Sequence, residues 1–182
     1  MKNFKIKTKL FLLAIFMLIG MVALGFVSLS YMKRINKETT EISEIWVPAV
    51  IASEELNTFT SDFRREEYKH IVAQDQQTMQ SAETKMEDRS KRIEETFDLY
   101  ISSLISNETD RNLIQEAQAE WNEYLTNHEK LLALSRENRT DEAMAVVLGT
   151  ISLYDDVSDI LLDIVELNKE GIDAANKHGD ML

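Results

Sequence analysis

From residue 31 onward, apolar positions recur at alternating steps of three and four. That spacing lays one stripe along a helix face, because about 3.6 residues complete a turn. The first stripe reads Ile35, Ile42, Ile45, Ala49, Ala52, Leu56, Phe59, Phe63 and Ala73, with polar Glu38, Glu66 and His70 set among them. A second runs through Met86, Ser90, Ile93, Phe97, Tyr100 and Leu104, and a third through Ile114, Ala117, Trp121, Tyr124, His128 and Leu131. The last runs through Val147, Ile151, Tyr154, Ser158, Leu161, Val165, Asn168, Ile172 and Ala175. A seven-residue repeat held this long predicts left-handed, bundle-type packing. Strand signals are absent, and the chain has one proline, Pro48. Turns are predicted at 73–76, 106–110 and 138–141, with Asp75 and either Thr140 or Asp141 as helix caps. Four helices result, at roughly 31–74, 76–105, 109–137 and 140–182. The fold class is all-α: an antiparallel, up-down-up-down four-helix bundle.

Helix length carries the next inference. The outer two helices, at about 43 residues, span roughly 65 Å, and the middle two roughly 40–45 Å. The middle pair therefore stops short, and the outer pair needs another apolar surface there. A second copy supplies it most simply, which predicts a homodimer with a stalk from residues 35–49 and 165–175. Pro48 removes one backbone bond inside the first helix and predicts a kink.

Ahead of the bundle, residues 10–29 carry no charged side chain. Twenty such residues rise about 30 Å, the thickness of a bilayer's hydrocarbon core. Lys2, Lys5, Lys7 and Lys9 precede them and favour a cytoplasmic N-terminus. The predicted organisation is a cytoplasmic segment 1–9, a transmembrane helix 10–30 continuous with or adjoining helix one, and an extracytoplasmic four-helix domain 31–182. That places the chain in the inner (plasma) membrane. Ala23-Leu24-Gly25 carries the small residues of a signal-peptidase site, but the apolar run continues past Gly25, which favours a retained anchor. The formal charge of −12 argues against nucleic acid as a partner. There is no cysteine, so the core alone must hold the domain.

Catalytic chemistry is hard to find. His70, His128 and His178 lie far apart and match no metal-ligand spacing. Asp155, Asp156, Asp159 and Asp163 read as a solvated helix face, since an oxygen cage for a cation usually needs a loop. No nucleophile elbow, phosphate loop or dinucleotide turn is present. The expectation is a non-enzyme with no cofactor and no metal. Polar residues on the stripes say more, because burying one without a partner costs about 1–3 kcal/mol. Antiparallel turns bring Phe59, Phe63, Arg64 and Arg65 to the height of Met86, Arg89 and Ser90. Tyr124, His128, Ile151, Tyr154 and Ser158 share that height. Within this layer Arg64, Arg65, Arg89, Tyr124, His128 and Tyr154 are the candidate ligand-binding residues. Aromatic walls with arginines suit an amino acid, organic acid or aromatic acid. The alternative is an ordinary core with exposed arginines.

Several short runs in order resemble one family. They are Trp46-Val47-Pro48-Ala49, Leu56, Asp62-Phe63-Arg64, Trp121-Asn122-Glu123-Tyr124, Arg139-Thr140-Asp141-Glu142-Ala143, and the segment from Leu161 to Asn168. Together they resemble the N-terminal portion of methyl-accepting chemotaxis proteins, the four-helix-bundle sensor domain of bacterial chemoreceptors. The resemblance implies a dimeric transmembrane receptor that binds a small extracellular molecule in its membrane-distal half. It also implies a signal passed by the last helix to a second span and a cytoplasmic part beyond Leu182. In the aspartate- and serine-sensing relatives, first-helix arginines at the dimer interface hold the ligand carboxylate, and Arg64 and Arg65 occupy a comparable stretch. Other relatives bind organic acids inside one bundle, which gives Tyr124, His128 and Tyr154 the corresponding places. The same module resembles ones on histidine kinases and cyclic-dinucleotide enzymes. A membrane-anchored structural or interaction rod is the alternative function.

Overall fold

The structure, a computed structural model, describes residues 5–180, with side chains as far as Lys177. The first four and last two positions, and the side chain of His178, lie outside the described residues.

The first rod begins with α1 (Ile6–Glu41), passes through a π turn (Ile42–Trp46) and continues as α2 (Val47–Val72). Its N-terminal part is apolar on every side and exposed throughout, long and apolar enough to cross a membrane. Pro48 lacks the N–H that an α-helix would direct at the Glu44 carbonyl. The backbone widens just before it instead, and the Val47 N–H reaches back five residues to the Ile42 carbonyl. Where the sequence predicted a kink, the rod carries a wider turn.

The second rod is α3 (Gln76–Leu99), closing in a second π turn (Tyr100–Leu104), and the third is α4 (Glu108–Arg136). Asp75 accepts the Thr78 N–H at 2.8 Å and Asn107 the Asp110 N–H at 3.0 Å, so both rods start on side-chain caps. The third turn differs from expectation, because neither Thr140 nor Asp141 is a cap. Asn138 takes the left-handed conformation that asparagine tolerates (φ 57°), and Arg139 occupies the N-cap without a side-chain cap bond. Arg139 grips Glu142 at 2.7 Å and Glu137 at 3.0 Å instead.

The fourth rod is not the single helix expected from residue 140. It divides into α5 (Thr140–Gly149) and α6 (Ile151–Asp180). Glycine costs a helix interior about 1 kcal/mol relative to alanine. Next to it, the Thr150 hydroxyl donates to the Val147 carbonyl at 2.9 Å, a local bond that competes with the helical ladder.

The rods alternate in direction and bury their stripes together. Leu56, Phe63, Met86, Ile93, Phe97, Ile114, Trp121, Leu131, Leu161 and Ile164 are all at most 3% exposed. α2 lies along both α3 and α6, and α4 lies along α6, whereas α3 and α4 touch over little of their length.

At the end of the bundle nearer the apolar N-terminal helix, a polar layer closes this core. The Tyr100 hydroxyl donates to Asp110 Oδ1 at 2.7 Å, and Asn168 Nδ2 donates to the Tyr100 oxygen at 3.0 Å. Asp110 Oδ2 accepts the backbone N–H and hydroxyl of Ser106 at 2.8 and 2.9 Å. All three side chains are sealed from solvent, and burial, reinforced by the Asp110 charge, pushes the Tyr100 hydroxyl pKa up. Closer still to the apolar N-terminal helix, the Trp46 ring fills the place where a Cβ on Gly171 would stand.

Candidate functional site

Farther from the apolar N-terminal helix, helix periodicity turns Phe63, Arg64, Glu67 and His70 of α2 inward. Phe63 meets the Trp121 ring edge-on at 5.3 Å between centroids and the His128 ring at 4.7 Å. Trp121 stacks on Tyr124 at 5.1 Å, and Tyr124 approaches Tyr154 at 6.4 Å. An aromatic wall thus runs from α2 through α4 to α6.

Two charges sit inside this wall. Glu67, 1% exposed, accepts hydrogen bonds from the Tyr124 hydroxyl and, at 2.7 Å, from His128 Nδ1. Burial, with the Glu67 charge beside it, raises the Tyr124 pKa and keeps that hydroxyl protonated. Arg64, 8% exposed, lays its guanidinium over the Tyr154 ring at 4.4 Å and makes a long 3.5 Å contact to the Tyr68 hydroxyl. Its Nη1 is buried and has no hydrogen-bond partner. Tyr154 exchanges a 2.7 Å bond with Ser61, and Ser158 donates to Asn57 at 3.0 Å on the same side.

Of the six residues expected from sequence, the fold brings four together: Arg64, Tyr124, His128 and Tyr154. Arg65 and Arg89 share the height but point outward. Arg65 is exposed and pairs with Asp62 at 2.9 Å. Arg89 reaches the same Asp62 at 3.2 Å, and Asp88 at 3.0 Å, while lying against Phe59. The carboxylate that organises the layer, Glu67, was not among the six. Its signal was the step Phe63, Glu67, His70, which is the stripe spacing.

A histidine fully sealed from solvent lies one turn farther out. His70 Nε2 donates to Glu83 Oε1 at 2.9 Å, and Nδ1 lies 2.7 Å from the Ser135 oxygen. Ser135 in turn bonds the His70 carbonyl at 3.2 Å. Arg136 Nε donates to the same Glu83 oxygen at 2.8 Å, and this bond, with His70 beside it, holds the Glu83 carboxyl down at about 2. Among the described residues, no three histidine or carboxylate side chains converge as a metal site.

These features define a class: an all-helical bundle with an apolar N-terminal span and a buried aromatic layer containing charge. The chain belongs to the family of four helix bundle sensory modules for signal transduction, whose sequence profile matches residues 3–181. That family is a sensory module, not a catalytic domain. The chain is 24% identical over 153 residues to sensory transducer protein YvaQ of Bacillus subtilis (strain 168), covering 84% of this chain and 27% of that protein. It is 31% identical over 96 residues to a sensory transducer protein of Acetivibrio thermocellus, covering 53% of this chain and 16% of that one. The chain thus spans only a minor part of the length of these relatives.

Proposed function

We propose that this chain is the sensor region of a transmembrane chemoreceptor. α1 anchors it, the bundle lies outside the cytoplasm, and two copies pair along the membrane-proximal parts of the first and last rods. A small extracellular organic anion binds at the Arg64 layer and biases the position of α6, which carries the signal toward the membrane. A ligand needs only to prefer one of two arrangements to do this. One observation carries the reading: a guanidinium buried over an aromatic ring, with Nη1 left unpaired. A buried donor without an acceptor is costly, and a ligand carboxylate would satisfy it with a charge-assisted bond. The half-buried Tyr154, under the same guanidinium, supplies an aromatic face for the rest of the ligand.

The test is a thermal-shift screen of the chain in detergent micelles against amino acids, dicarboxylates and aromatic acids, with calorimetry on any hit. Arg64→Ala and Tyr154→Ala should each weaken binding by about tenfold or more. A hit that neither substitution affects would place the ligand elsewhere and overturn this site.

A further inference from the structure

Glu67 and Arg64 face inward one turn apart on α2, about 4.5 Å along the axis. They form no ion pair with each other. Glu67 is bonded by Tyr124 and His128, whereas Arg64 lies over Tyr154 with Nη1 unpaired. Their fields meet all the same. Burial does most to raise the Tyr124 hydroxyl pKa, the Glu67 charge adds to this, and the Arg64 charge opposes it. The two formal charges of the layer offset each other without touching.

A third charge can enter at His128. Its Nδ1–H is committed to Glu67, and no hydrogen bond within the described chain uses Nε2. In the neutral ring that nitrogen carries the lone pair, so a proton adds there. The side chain is 13% exposed and walls a cavity of about 380 Å³, so the proton comes from solvent. The groups around the ring favour its arrival. Glu67 meets it from α2, Glu83 and Glu87 line the same cavity from α3, and α4 itself adds Glu129 and Arg136. Arg136 is already bonded to Glu83, which leaves these surroundings net acidic. On the other side of α4, toward α5, Lys130 and Glu142 line a different cavity. α6 contributes the Tyr154 ring to the layer.

Charge counting then links two events. With His128 neutral, Arg64 and Glu67 sum to zero. A carboxylate arriving at Arg64 would leave one uncompensated negative charge where burial makes charge costly. With His128 protonated, the imidazolium balances Glu67 and frees the Arg64 charge for the ligand.

We propose that the anion site is proton-coupled: a carboxylate enters at Arg64 together with one solvent proton, which adds to His128 Nε2. The inference rests on the anion site proposed above and supplies its regulation. Acid on the ligand's side of the membrane strengthens binding, so the sensor reads the anion and the surrounding pH as one signal. The coupling passes through Glu67 and is reciprocal, so loss of the Arg64 charge must tighten the proton on His128.

The experiment has two arms, both on the full chain in non-ionic micelles. The first uses no ligand. Titration of the His128 ring is followed by NMR with isotope-labelled histidine, and its signal is identified by its absence in His128→Gln. Arg64→Met should raise the proton affinity of His128 about threefold or more, as the loss of one nearby cation at an effective dielectric constant of about 20. An unchanged midpoint would overturn the coupling even with the anion site intact. In the second arm, benzoate, which stays ionised throughout, is titrated calorimetrically at about pH 8 and about pH 6, the range in which histidine titrates. Binding should tighten about tenfold at the lower pH, with heats that follow the buffer's ionisation enthalpy because a proton is taken up. His128→Gln, whose amide N–H still reaches for Glu67, should bind benzoate with no pH dependence, and His70→Gln should leave the dependence in place. Binding that ignores pH or weakens in acid would overturn the proposal, as would a dependence that vanishes with His70 instead of His128. Failure of benzoate to bind at either pH would strike the anion site itself, and this inference with it.

Discussion

Two buried polar layers cross this bundle, and they are built differently. The lower layer, of Tyr100, Asp110 and Asn168, places one carboxylate among hydroxyl and amide donors and uses both its oxygens at a turn. The distal layer holds an acid and a base, Glu67 and Arg64, that engage different partners. Each layer leaves one buried polar atom unpaired, and the two are of opposite kind: the Asn168 carbonyl oxygen below and the Arg64 Nη1 donor above. The lower layer ties the start of α4 and the end of α3 to α6 through short local bonds, so it is a joint. The upper layer spends its formal charge on aromatic rings and leaves a cationic donor over, so it is receptive. Whether a polar core position locks or receives thus depends on how completely its neighbours satisfy it.

Substitutions can break this contrast, beginning with the most severe. Glu67→Ala strips the acceptor from both Tyr124 and His128 inside the core and should destabilise the bundle by about 3–5 kcal/mol. Thermal and urea unfolding monitored by circular dichroism in micelles would measure it. Asp110→Ala should cost less, about 1–3 kcal/mol, because part of what it orphans, the Ser106 N–H and hydroxyl, sits at a partly exposed turn where water can replace it. If Asp110→Ala proved the more damaging, the division into joint and receptive layer would be reversed. Gly171→Ala forces the Trp46 ring from its seat and should cost about 1–3 kcal/mol as an overpacking change, with a shift in tryptophan emission. Trp46→Ala combined with it should recover part of the loss.

Acid provides a gentler probe of the distal end. The Glu83 carboxyl is held at about 2, below its ordinary value of 4.5, first by its bond from Arg136. Its contribution is therefore complete above pH 4.5 and lost as pH falls toward 2. Unfolding temperature should decline over that interval, and Glu83→Gln should flatten that part of the profile. The smallest effect belongs to Arg89→Ala. It opens an outward-facing pair with Asp62 and should change stability by less than about 1 kcal/mol. A larger loss would move Arg89 into the receptive layer.

Much of the bundle was legible because its stripes repeat without interruption, and helix periodicity translates directly into buried faces. The ligand layer was legible in height but not in azimuth. Arg64 and Arg65 occupy the same level, yet successive residues are turned by about 100°, so only one of them can face the core. Arg89 was lost for the same reason, as its α3 face meets Asp62 on the outside of the pair. Glu67 is not legible in the sequence, because a carboxylate reads as surface until its hydrogen-bond partners, 57 and 61 residues away, are known. The break at Gly149 and Thr150 escaped notice because the stripe runs straight through it and shows no turn cluster.

The indole seated against Gly171 works as a detent between the two ends of the folded chain. α6 cannot slide a full turn along the first rod without expelling that ring, so any travel of the last helix is confined to steps that keep the notch engaged. The long first rod and α6 are thereby indexed to each other by a single side chain and a single missing one.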